Sequence, residues 1–155
     1  MRDKCFITIH RGGTLTREQH CQLIKWASVC ASHVLPLIEE PVDERLTNAL
    51  QVAREWELGN ATVGEARNAS LEAIAVANES TNPTVIAVAR SVGHAVATAH
   101  MADHSLRAAE YALKAIKLSG KSVETEQNWQ NLQLPPEIRK LISSGKLLVN
   151  VGNPC

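Results

Sequence analysis

The sequence predicts an all-α fold: a compact array of six to seven helices around one Ala/Val-rich central helix. Three observations carry this. Aromatic residues make up only 3% of the chain while 45% is apolar, which favours helices packed through small side chains over a sandwich of aromatic and β-branched strands. Capping residues recur just ahead of apolar runs spaced three and four apart. The stretch from Pro83 to Leu118 is almost unbroken Ala, Val, Ile, Leu and Gly.

Taken in order, residues 1–14 are basic and irregular. Cys5–Ile9 reads as a short strand before the Gly12-Gly13 turn, and Lys146–Val151 has the same look, so the two could pair as a two-stranded terminal ribbon. Thr16 and Gln19 have capping-box spacing and open the first helix, with Leu23, Trp26, Ala27, Cys30, Val34 and Leu37 on its apolar stripe; Pro36 ends it. Asp43 caps the second, whose stripe is Leu46, Ala49, Leu50, Ala53 and Trp56, and Gly59 stops it. Thr62 and Glu65 form another capping box, and Ala66, Ala69, Ala73 and Ala77 give the third helix a narrow seam.

Asn82 and Pro83 start the central segment. As one rod its 36 residues would span about 54 Å, more than the ~40 Å diameter of a compact chain of this length. A break is therefore expected near Asp103–Ser105. Ser122 caps a helix containing Trp129 and Leu132, and Pro135-Pro136 opens a short last turn through Ile138, Leu141 and Ile142. No linker, low-complexity tract or fixed-period repeat divides the chain, and 155 residues suit one helical domain over 1–155.

Composition narrows the function. Zero formal net charge does not point to nucleic acid or a membrane surface as partner. No run of 18 uncharged apolar residues appears, and Cys5–Ile9 is too short for a signal-peptide core. The four cysteines lack CxxC spacing, so thiols in a cytoplasmic protein are expected rather than a disulfide framework or zinc knuckle.

Three features could carry chemistry. His100 and His104 are four apart, as on zinc-binding helices, with His94 nearby; on a continuous helix, however, His94 points 80–120° away from both. The pair would need a third ligand from another helix, for which His33, Glu65 and Cys30 are the candidates; His94, His100 and His104 around an interior pocket define the alternative function, a helical metal- or small-molecule-binding protein or an enzyme with a His-lined interior site. The ligand count falls short, so no cofactor and no metal are expected. Cys30 and His33 are helical neighbours, yet the phase of Cys30 on the apolar stripe makes it a core residue. Charge is the third feature. Between Glu39 and Glu79 nine acidic residues face three arginines, a local charge of −6, and the balance from Ser105 to Lys121 is +3. Helices two and three are expected to pair antiparallel with an acidic outer surface that suits a basic partner, and Glu44, Glu55 and Glu72 are the candidate contacts.

Several blocks together resemble the putative immunity proteins of bacterial polymorphic-toxin systems. They are Cys30 with His33-Val34-Leu35-Pro36, Ala53-Arg54-Glu55-Trp56, Gly64-Glu65-Ala66-Arg67, Gly93 through His100, Ala108 to Ala115 with Tyr111, Trp129-Gln130 and Leu134-Pro135. The resemblance runs roughly from Leu15 to Ile142. It implies a cytoplasmic, all-helical protein that binds and neutralises a cognate toxin and has no catalytic activity of its own. It supplies no residue roles. The Ala-rich seams leave a homodimer open.

Overall fold

Seven α-helices are laid down in chain order in the computed structural model, which describes residues 3–148 and the side chains of residues 3–144. They are α1 (Arg17–Val34), α2 (Glu44–Glu57), α3 (Val63–Glu79), α4 (Pro83–Ala97), α5 (His104–Leu118), α6 (Val123–Leu132) and α7 (Pro136–Leu148).

The helix starts are where the capping residues put them. Thr16 and Thr62 each accept from the backbone N–H three residues on, and Gln19 and Glu65 return the bond to the cap N–H. Asp43, Asn82 and Ser122 accept at α2, α4 and α6. Gly59, just past α2, has the left-handed φ of 84° that such a stop needs.

No strand is present among the described residues. Cys5–Ile9, expected as a strand, is instead the site of two 3₁₀ turns, Lys4–Phe6 and Ile9–Arg11. The consecutive residues Cys5 and Phe6 are both buried, whereas a half-buried strand alternates. Only an isolated bridge joins Thr8 to Leu15. In the expected partner strand, Lys146–Leu148 belong to α7, and residues 149–151 lie outside the described residues. The last element is accordingly a helix rather than a short turn. Cys5 is disulfide-bonded, which corrects the expectation of four thiols; Cys21 and Cys30 are free of disulfides.

The break in the long apolar stretch starts earlier than expected. α4 ends at Ala97 and α5 begins at His104, so residues 98–103 turn the chain back. α4 packs against α1, α2, α3 and α5. Its buried residues include Ala87, Val88, Ala89, Val92, Ala95 and Val96. A helix with so little side-chain bulk lets its neighbours come close. A Cβ added at Gly93 would lie 2.7 Å from Ile74 Cδ1, so Ile74 would have to shift to admit a side chain there. Ser70 Oγ donates to the Gly93 carbonyl at 2.9 Å and Ser91 Oγ to the Ala108 carbonyl at 2.7 Å, so these buried hydroxyls join α4 to both neighbours.

Candidate functional site

α2 and α3 pack together, and Arg45 at the start of α2 bonds Glu79 at the end of α3 at 2.6 Å, which fixes the pair as antiparallel. The same guanidinium bonds Asp43 at 2.9 Å. Those hydrogen bonds from Arg45 hold the Asp43 and Glu79 carboxyls below the usual carboxylate range. Arg54 pairs with Glu57 at 3.3 Å. Two of the three arginines between Glu39 and Glu79 are thus engaged within the pair.

The three candidate glutamates differ. Glu44 and Glu72 are exposed, but Glu55 is half-buried and accepts from Gln51 Nε2 at 2.8 Å. Leu71, next to Glu72, is 63% exposed, and Leu58 and Val63 are exposed where α2 passes into α3. The exposed residues of α2 and α3 thus include apolar side chains as well as carboxylates.

The histidines meet differently from their helical phase. Because residues 98–103 fold α5 back onto α4, His94 Nδ1 lies 2.9 Å from His104 Nδ1, so one ring donates and the other accepts. The 80–120° separation expected for a continuous helix does not apply. His100 sits in the turn, outside any helix, with its ring 5.4 Å from that of His104. Tyr111 stacks on His94. Among the described residues no group of three His, Cys, Asp or Glu is placed to hold a metal ion.

Burial pushes the His94 imidazole down to about 4, and the charges of His104, Arg107 and Arg90 act the same way. His20 is lowered too, chiefly by burial. A lowered histidine keeps its full stability contribution above the unfolded pKa near 6.5 and loses it as pH falls through the folded value. Urea titrations should show stability falling by about 1–2 kcal/mol at His94 between about pH 6.5 and 4, after discounting for its partial contact with solvent. His94→Gln should flatten that loss; an unchanged profile would remove His94 as its source.

A second polar cluster had no signal in the spacing of residues. Cys30 is buried in the core, but His33 turns outward, and its Nδ1–H donates to Glu126 Oε2 at 2.6 Å. Trp129 stacks on the His33 ring at 3.6 Å. Beside them is an open cleft of about 450 Å³ that also reaches Lys25 and Arg54. Glu126 and Gln130 are four apart and both buried, so α6 turns polar residues inward. Gln130 Nε2 donates to the Ala109 carbonyl, and Trp26 Nε1 donates to the Gln130 carbonyl. A glutamate and a glutamine at this spacing ordinarily mark a solvated face, and their partners are far away in the chain.

A family model described as an Imm-5 like putative immunity protein matches residues 13–137, most of the chain. No curated protein and no solved structure matches it significantly. Among the described residues no helix is long and apolar enough to cross a membrane.

Proposed function

The chain belongs to the Imm-5 like putative immunity protein family, and we propose that it acts as that description implies, by binding a cognate toxin and blocking it without catalysis. It does so as one helical domain in the cytoplasm of a bacterium that carries a polymorphic toxin. The contact is the outer face of α2 and α3, where Glu44, Glu55 and Glu72 meet a basic surface of the toxin. The observation that carries this reading is the exposure of Glu44, Leu71 and Glu72 on a helix pair whose Arg45 is already paired with Asp43 and Glu79. Complementary charge speeds encounter and fixes orientation, and exposed leucine supplies apolar area once the surfaces meet.

The test is co-expression with the toxin domain encoded next to this chain's gene. Growth should be restored, and the two proteins should co-elute as a complex. Continued killing with this chain present in excess would reject the reading.

A further inference from the structure

A cavity of about 230 Å³ opens at the end of the bundle where the N-terminal segment crosses α1, the α2–α3 junction and the α4–α5 turn. Its walls are apolar, with Phe6, Leu15, Trp56 and Ala99 among them. Every ionisable side chain that lines it is a base: His10, Arg11, Arg17, His20 and His100. No carboxylate lines it among the described residues. An apolar cleft with one sign of charge concentrates counter-ions, because its low-dielectric walls focus the field.

Two of the bases, Arg17 and His20, are held in place. Arg17 lies with its guanidinium 4.3 Å from the centre of the Trp56 ring and donates from Nη2 to the Trp56 carbonyl at 3.4 Å. That leaves most of its five donors for another acceptor. His20 is fixed by donating from Nε2 to the Thr98 carbonyl at 2.6 Å, and its ring leans on Trp56 at 4.7 Å. Burial is the first cause that lowers His20, and the charges of Arg17, Arg11 and His10 lower it further, against the Thr98 bond.

We propose that this cavity binds a small free carboxylic acid with an apolar body, a single ring or short branched chain, whose carboxylate is met by Arg17 and Arg11. Its volume is below the roughly 300–1,000 Å³ of sites for drug-sized molecules, so a ligand of one ring fits it. A guanidinium fork matches a carboxylate, and Trp56, Phe6 and Leu15 cover the apolar body. The inference is independent of toxin binding.

Phenylacetate titrated into the full chain at low salt, followed by the imidazole resonances, tests it. Saturable binding is expected with a Kd of about 0.1–1 mM. Phenylacetamide, the same shape without charge, should bind at least about tenfold more weakly. At saturation the His20 titration should move up, because an anion now offsets the arginines. Arg17→Gln and Arg11→Gln should each lower phenylacetate affinity about tenfold with unchanged far-UV circular dichroism. The tripeptide Gly-Gly-Phe offers the same carboxylate from a polypeptide end and should bind more weakly, since a volume of about 230 Å³ suits one ring and leaves its first two residues outside the apolar walls. Equal binding of acid and amide, an unmoved His20 titration at saturation, or no binding would overturn the proposal. Tighter binding of the tripeptide would overturn the assignment to a free acid.

Discussion

Replacing Trp26 by alanine should remove about 4 kcal/mol of stability, the cost of emptying a large aromatic site in a close-packed interior. Trp26 is only 2% exposed, and its Nε1 donates to the Gln130 carbonyl at 2.8 Å. It joins α1 to α6, whose buried residues are the polar Glu126 and Gln130. Against a total stability of about 5–15 kcal/mol for a domain, the loss is roughly a quarter or more of the whole. Trp26→Phe keeps most of the volume and loses the indole N–H, so it should cost only about 1–2 kcal/mol. Urea unfolding of the three proteins measures both. Equal losses for phenylalanine and alanine would mean that the hydrogen bond, and not the filled volume, dominates at this position.

The second large effect is on binding. Reversing Glu44, Glu55 and Glu72 to lysine together should weaken toxin affinity by about a hundredfold or more, because like charges then face each other across the interface. Most of the change should appear in the association rate and its salt dependence for the exposed pair, Glu44 and Glu72. Stability should change by no more than about 1 kcal/mol, since the substitutions are near the surface and only Glu55 gives up a hydrogen bond, that from Gln51. Titration calorimetry with the toxin, beside urea unfolding of the variant, separates the two. Unchanged affinity would place the contact on another face.

Much of the helical framework was legible because its signals are local. Thr16, Asp43, Thr62, Asn82 and Ser122 each cap the helix that follows within three residues, so a short window holds both donor and acceptor. The stripe of α3, and that of α1 as far as Val34, were legible for the same reason; α1 stops at Val34, Leu37 falls in a 3₁₀ turn beyond it, and Leu37 and, on α2, Leu50 are only half-buried. α6 was misread where locality fails. Leu132, counted as one of its apolar residues, is 79% exposed, while Glu126 and Gln130 are buried. Their partners His33 and Ala109 lie 93 and 21 residues away in the chain, and no periodicity encodes them. The N-terminal segment was misread because apolar residues next to each other suit a strand or a pair of 3₁₀ turns equally well, and contact with α1 and the α4–α5 turn decides.

The candidate site was legible only in part. The sign of the α2–α3 face follows from composition, but the half-burial of Glu55 does not. The His94–His104 contact needed the turn at residues 98–103, which starts ahead of the break that chain length alone had placed. The basic cavity was not foreseen, since it gathers Arg11, Arg17, His20 and His100 from three separate segments.

Residual toxin activity against added protein, at toxin concentrations well above the Kd, tests most directly whether this chain works by occupying its partner. Activity should fall linearly and reach zero when the two are present in equal molar amounts, and intact toxin should be recovered when the complex is taken apart in denaturant. Inactivation by a small fraction of an equivalent, with the toxin chemically changed, would contradict it and make this chain an enzyme.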